Sequence, residues 1–362
     1  MRVLQAITSG EAGGAQSHVL ALCEALRQDV DLAVAIGSGG GVLAERLAAL
    51  GIPVHALQQT RNSTNPFQLM RAAREMQDLA GRLRPDILHA HSSFAGAATR
   101  IAARRCGLPA VYTVHGFGFK REAQSPAREA AWIGERLLAR GTDRLICVSE
   151  HEAQLARRLP VAAGAVTVIP NGLPDVAFRS DPGREPASVA MVARLAPPKR
   201  ADLLLEALHL VAAPPPVEVI GDGPLRAELQ AQASNFGLTR VRFSGNVADV
   251  PRRLAQHRIF VLLSDHEGLP ISILEAMRAG MAIIASRLPG AAELVTHGES
   301  ALLVDNDPHA VAEALEHLLH DPALRAQLGH AARARYEREF GAQTMAMRVL
   351  EVYRSLVREP AA

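Results

Sequence analysis

Cysteine is scarce here: Cys23, Cys106 and Cys147 are the three in 362 residues. They are odd in number, lie far apart and form no C-x-x-C pair. That speaks against a disulfide framework or a cysteine zinc site and suits a reducing cytoplasm. Charge of one sign is missing too. Lys+Arg 39 against Asp+Glu 37 leaves a net charge of +2, and no concentrated Lys/Arg block offers nucleic acid a basic face. No window approaches the roughly 18–20 apolar residues of a membrane-spanning helix. The opening MRVLQAIT has too short an apolar run for a signal peptide before SGEAGG interrupts it. No repeat of 20–50 residues is visible, and no low-complexity segment. A dinucleotide fingerprint, G-x-G-x-x-G after the first strand, is also absent, which disfavours a nicotinamide dehydrogenase.

Apolar residues, at 48%, suffice for buried interiors and argue against disorder. The length suits two domains. Short β-type runs alternate with longer helical ones: VLQAIT, DLAVAI, PVHAL, DILHAH, AVYTVH, RLICVS and VTVIPN. The series then begins again with SVAMVARL, PVEVIGDG, VRFSG, IFVLLSD, AIIAS and ALLVD. Such alternation predicts parallel βαβ units, and two series predict two doubly wound α/β domains. The boundary is expected near Pro170–Pro186, a stretch rich in Pro, Gly and Asp. The tail MAMRVLEVYRSLVRE has helical spacing. Ligands of open α/β sheets bind beyond the carboxyl ends of the strands, so two facing domains predict a cleft lined by the segments that follow each strand.

Several of those segments carry chemistry. In SGEAGGAQSHV, Gly13 and Gly14 remove side chains where a helix begins, leaving room for a phosphate or sugar, or simply making a βα turn. HAHSS and TVHGFGFKR end strands with His89, His91 and His115. A metal trio of these three is disfavoured, because no carboxylate accompanies them and His115 lies on another strand. His115 precedes Gly116, which leaves space for substrate. ARLAPPKR puts Arg194 and Lys199 in one loop, where a guanidinium fork and a point charge suit a diphosphate; ordinary surface charge is the bland reading. GDGPLRAEL is a strand–turn–helix corner with a structural Asp222.

HEGLPISILEAMRAG places Glu267 and Glu275 eight positions apart around a helix start. Pro270 suits a first helical turn. Gly268 lets backbone approach, and the N–H groups of Leu269, Ile271 and Ser272 point from the helix end toward an anion. Each carboxylate can accept bonds from vicinal hydroxyls. Sugar, diphosphate and ribose can thus be laid across one helix terminus. The plainer alternative is two acids favouring a helix N-terminus.

Taken in order, AGGAQ, HAHSS, TVHG, CVSE, IPNG, RL…K, GDGP, FSGNV and EGLPISILEAMRAG…PG…ELV…GE run from Gly13 to Glu299. The chain resembles in these the GT-B family of retaining glycosyltransferases, family four, and the resemblance covers nearly its whole length. It implies two Rossmann-like domains. Residues 1–172 with 342–362 would form the acceptor domain and 173–341 the nucleotide-sugar domain. It implies that Glu267 holds donor-sugar hydroxyls, Glu275 the ribose, and Arg194 with Lys199 the diphosphate. It further implies that His115 contacts the donor sugar, Gly13 and Gly14 approach the diphosphate or acceptor, and backbone near Asn246 and Val247 meets the base. The sequence departs at Gln16, where the family often has Glu, and at Ala193 and Arg200, where Gly is usual; Asp175 stands one position late.

The expected reaction is hexosyl transfer from a UDP- or GDP-sugar type of donor to a glycan or lipid-linked acceptor, with retention. No cofactor or metal is expected. Of two Asp-x-Asp strings, Asp29–Asp31 lies in a turn, and Asp307 of the other reads as a helix N-cap. GFGFKREAQSPAREAAWIGERLLARG combines Phe117, Phe119 and Trp132 with Lys120, Arg121, Arg128, Arg136 and Arg140. It reads as a solvated helix face or as a surface for anionic lipid. The setting implied is polysaccharide or lipid-linked glycan assembly, cytoplasmic, with peripheral contact at the inner membrane face. The rivals are a GT-B nucleotide-sugar epimerase and a catalytically silent sugar-nucleotide-binding protein.

Overall fold

In the computed structural model, residues 1–11, 13–37, 40–119 and 125–357 are described, those of 125–127 by backbone alone. The chain divides into two compact units, Met1–Gly172 with the segment from Ala342, and Leu173–Gly341.

The first unit holds seven strands: β1 (Arg2–Ile7), β2 (Asp31–Gly37), β3 (Val54–Leu57), β4 (Ile87–Ala90), β5 (Ala110–Val114), β6 (Arg144–Cys147) and β7 (Val166–Val168). All pairs are parallel, in the order β3-β2-β1-β4-β5-β6-β7. Parallel strands need crossovers, and helices cover both faces. On one face Val3, Ile7, Ile87 and Val111 pack with the Gly14–Leu26 and Ala342–Leu356 helices. On the other, Leu4, Ala6, Leu88 and Tyr112 pack with the Pro66–Leu83 and Ser93–Cys106 helices. By strand alternation Gln5, His89 and Thr113 belong to the first of these faces, and all three are fully buried.

The second unit has six strands: β8 (Val189–Val192), β9 (Val217–Ile220), β10 (Val241–Gly245), β11 (Ile259–Leu262), β12 (Ala282–Ser286) and β13 (Leu302–Val304). They run parallel as β10-β9-β8-β11-β12-β13. Every β-type run of the sequence is thus a strand, and both sheets are doubly wound. In each unit the strand order reverses once, between β1 and β4 and between β8 and β11. A crevice opens at such a reversal, because the flanking crossovers leave to opposite faces.

Candidate functional site

In the second unit the loop after β8 is stitched to the end of β11. Arg200 N–H donates to Leu263 O at 2.9 Å, Asp265 N–H to Pro198 O at 2.9 Å, and Lys199 bridges Ser264 through backbone. That stitching brings Lys199 to Glu267, and their side chains form an ion pair. Ser264 Oγ donates to the same Glu267 oxygen, Oε1, at 2.6 Å. Ser264 is itself fixed: its N–H donates to Ser286 Oγ at 2.9 Å, and Asn306 Nδ2 donates to its carbonyl at 2.9 Å. Four strand ends, those of β8, β11, β12 and β13, therefore hold one carboxylate. The sequence reading named Lys199 and Glu267 for separate ligand groups; in the structure they hold each other. Arg194 is exposed, and its side chain has no hydrogen-bond partner among the described residues. Arg200, in the same loop, is committed to Asp202 and Asp265.

The loops after β9 and β10 support the Arg194 segment. Leu195 N–H donates to Asp222 O at 3.0 Å and Gly221 N–H to Gly245 O at 2.8 Å. A side chain on Gly223 would place its Cβ 2.3 Å from Leu195 O, so only glycine lets these loops touch. Asp222 is structural as expected: Oδ1 accepts from Gly223 N–H at 2.8 Å and Oδ2 from Arg226 at 2.6 Å. Asn246 and Val247 follow β10 in a loop, Asn246 exposed and Val247 half-buried.

The helix after Glu267 spans Ile271–Ala279. Pro270 is its N-cap, with φ −70° and ψ 112°, not its first turn, because that ψ is extended; its carbonyl accepts from Ile273 N–H at 3.1 Å. Leu269 and Ile271 are buried at 6% and 8% exposure, so their side chains serve packing. Gly268 lies under Gly290, whose Cβ would fall 2.1 Å from Gly268 O. The Pro289-Gly290 step thus acts as a spacer for the Glu267 segment, a role sequence inspection does not show. Glu275, half-buried in the second turn, has its carboxyl pushed up to about 7 by burial, against the pull of Arg278. Asp307 caps the Pro308–His320 helix, accepting from Ala310 N–H at 2.9 Å.

In the first unit a second group gathers at the β1–β4 reversal. His91 and His115 follow β4 and β5, and His18 comes from the helix that follows β1. Ring centroids are 5.3 Å apart for His18–His91 and 4.8 Å for His18–His115. His89, part of the disfavoured sequence trio, turns instead to Tyr353 at 2.5 Å and Thr113 at 2.8 Å. His18 takes its place in the cluster. Burial drives the ring of His18 down to about 4, with Asn171 opposing, and holds His91 and His115 well below the usual imidazole range, helped by neighbouring rings. Gly13 caps the Gly14–Leu26 helix with extended backbone, φ 175°, which any residue adopts. A Cβ there meets only the flexible end of Gln16 at 2.6 Å. Neither angle nor packing of the protein explains the glycine.

The aromatic residues suggested for lipid contact point inward. Phe117 and Phe119 are buried and stack at 4.6 Å, and Trp132 packs edge-on to Phe119 at 4.9 Å. Rings packed into the core gain more than rings on the surface. Lys120 and Arg121 lie outside the described residues. What the Ser125–Ala139 helix exposes is Ile133 and Leu137, one turn apart, beside Arg136 and Arg140. No helix among the described residues is long and apolar enough to cross a membrane.

Two parallel doubly wound units give the chain a GT-B fold. Residues 13–172 match the glycosyl transferase 4-like domain and residues 177–335 the glycosyl transferases group 1 model. The chain is 30% identical over 318 residues to the D-inositol 3-phosphate glycosyltransferase of Streptomyces avermitilis, 77% of this chain and 67% of that one. It is 33% identical over 262 residues to the UDP-Gal:alpha-D-GlcNAc-diphosphoundecaprenol alpha-1,3-galactosyltransferase of Escherichia coli, 66% of this chain and 67% of that one. Anabaena HepE, solved with UDP and glucose, superposes with a TM-score of 0.87 at 23% identity, covering 98% of this chain and 100% of its own. The chain belongs to the group 1 glycosyltransferases. It is an enzyme of glycosyl transfer.

Proposed function

We propose that the chain moves a hexosyl group from a nucleoside-diphosphate sugar to a glycan or lipid-linked acceptor, with retention at the anomeric carbon and no metal at the diphosphate. The observation that carries this reading is the convergence of Lys199 and Glu267 at the β8–β11 reversal, beside the N-terminus of the Ile271–Ala279 helix. Bond breaking leaves charge on the departing diphosphate, and catalysis needs fixed positive charge there. Arg194, Lys199 and the helix dipole supply it. Ligand-free, Lys199 and Glu267 neutralise each other. With donor present, Lys199 turns to phosphate and Glu267 to sugar hydroxyls, with Ser264 keeping its carboxylate in place. Glu275 takes the ribose, and backbone of Asn246 and Val247 the base. In the first unit His115, Gly13 and Gly14 serve the sugar and the acceptor.

A uridine donor is supported by two relatives: the Escherichia coli enzyme is named for UDP-Gal, and Anabaena HepE is solved with UDP-glucose. The lipid-linked acceptor rests on the diphosphoundecaprenol in the same name and on Ile133 and Leu137 among arginines. No side chain is placed as a covalent nucleophile, so attack from the face of the departing phosphate fits, with that phosphate taking the acceptor's proton.

A panel of nucleotide-sugars, with product configuration read by NMR, tests the reading. Retained configuration and turnover unchanged by EDTA are expected. Glu267→Ala and Lys199→Ala should each lower turnover at least about tenfold, about 1.4 kcal/mol of barrier. Near-wild-type rates in both contradict the assignment. Interconversion of free nucleotide-sugar without acceptor would favour an epimerase instead.

A further inference from the structure

The histidine cluster of the first unit has a feature that glycosyl transfer does not use. His18, His91 and His115 each offer one ring nitrogen, and the three atoms lie within 4.8 Å of one another. Nδ1 of His91 and Nε2 of His115 are buried without a hydrogen-bond partner, and the two nitrogens of His18 make no hydrogen bond of ordinary geometry, with the Asn171 amide beside that ring. Leaving a buried polar atom unmade costs about 1–3 kcal/mol, so several at one point indicate a missing ligand.

The network beneath the cluster fixes which atom of His91 is open. Gln5 Nε2 donates to Tyr353 Oη at 3.1 Å. Tyr353 Oη also meets His89 Nδ1 at 2.5 Å, and His89 Nε2 meets Thr113 Oγ1 at 2.8 Å. With Nε2 of Gln5 on Tyr353, its Oε1 faces His91, and an amide oxygen only accepts. His91 must carry its proton on Nε2, where it meets Gln5 Oε1. Its Nδ1 is left as a bare lone pair aimed at His18 and His115. A ligating imidazole whose other N–H is held by a protein oxygen is the usual arrangement around a metal. Among the described residues no carboxylate joins the three. A donor set of imidazole alone suits zinc and its late first-row neighbours and not magnesium or calcium.

We propose that His18 with His91 and His115 binds one Zn²⁺-class divalent ion, with a fourth position open to water or an anion. Tetrahedral zinc with bonds near 2.0–2.1 Å wants ligand atoms about 3.4 Å apart. The rings close inward by roughly an ångström to reach that spacing. His115 is also the residue assigned to the donor sugar. Ion and donor then exclude one another, and this second part rests on the functional reading above.

The test uses full-length protein without an affinity tag, stripped of metal, with no donor or acceptor present. Co²⁺ is titrated and its tetrahedral visible absorption followed. The site predicts bands saturating at one equivalent, displaced by Zn²⁺, unmoved by excess Mg²⁺, and lost in His18→Gln and His91→Gln. Absent bands overturn the proposal, and so do bands that persist in both variants. Should the variants fail to fold, ring-nitrogen NMR of the wild type decides. Zn²⁺ must shift His18, His91 and His115 and leave His89 in place; a uniform or absent shift overturns it. Competition is read separately: cobalt binding with nucleotide-sugar affinity unmoved by Zn²⁺ removes the exclusion and leaves both the metal site and the transferase reading standing.

Discussion

At the scale of single residues, Glu275 carries a prediction whose sign is fixed. Burial raises its carboxyl from the ordinary 4.5 to about 7. In that window the folded chain binds a proton that the unfolded chain has lost. The stabilising contribution is full below the unfolded value and is lost as pH rises through the folded one. Thermal melts at about pH 5 and about pH 8 should show this loss in wild type and its disappearance in Glu275→Gln, which is neutral throughout. A ribose held by the ionised carboxylate adds a second sign: nucleotide affinity rises as pH passes about 7. The candidate residues of the second unit were legible in the sequence as candidates. Arg194, Lys199, Glu267 and Glu275 stood out by type and by position after strands. The pairing of Lys199 with Glu267 was not legible, because it depends on β8 and β11 being neighbours across sixty-odd positions of chain. His18 was missed for another reason. It sits on an apolar helix stripe next to Val19 and Leu22, where a lone histidine reads as core. The available signal was polar residues inside buried parallel strands: Gln5, His89 and Thr113 each interrupt a run of apolar neighbours. Polar groups are buried there only when paired, so their presence implied a network.

At the scale of elements, the site depends on loops in backbone contact. The Gly268 carbonyl beneath Gly290 is the sharpest case. Gly290→Ala would drive a Cβ to 2.1 Å from Gly268 O and 3.3 Å from Glu267 O. Both are backbone atoms and cannot rotate away. Overpacking of this kind costs about 1–3 kcal/mol, and here it displaces the Glu267 segment. The expected outcome is a lowered melting midpoint together with turnover reduced by more than the lost stability explains; unchanged turnover in a folded variant contradicts the spacer role. The strands themselves could be read directly, since short apolar runs bounded by turn residues have few alternatives in an alternating βα pattern. Helix starts were less legible. Proline at a first turn and proline at a cap look alike in sequence, and only ψ separates them. The inward turn of Phe117 and Phe119 was hidden too, because a run mixing aromatics with arginines gives no strand or helix period that fixes a buried side.

At the scale of the molecule, each unit places one polar cluster where its strand order reverses, the position doubly wound topology opens for a ligand. The lipid-linked acceptor proposed above would need an outer surface, and the first unit exposes a candidate. Ile133 and Leu137 are 57% and 74% exposed. A pocket of about 380 Å³ lined by Arg100, Arg104, Arg105 and Leu137 lies alongside. Apolar side chains flanked by arginines suit anionic bilayers. Pelleting with vesicles rich in anionic lipid should carry the protein down at low salt, and Leu137→Glu should release it. No binding at low salt removes the membrane surface from the account and leaves the donor chemistry untouched.

The central claim is that a donor diphosphate is neutralised by Arg194 and Lys199 at the β8–β11 reversal. Calorimetric titration with UDP, GDP, ADP and dTDP tests it most directly, comparing wild type with Arg194→Ala, Lys199→Ala and Arg200→Ala. Arg200 is the control, a positive charge in the same loop already spent on Asp202 and Asp265. At least one diphosphate should bind. Arg194→Ala and Lys199→Ala should each weaken it about tenfold or more, and Arg200→Ala less than about twofold, a difference of about 1.4 kcal/mol per decade. Equal losses across all three, or none in the first two, would contradict it.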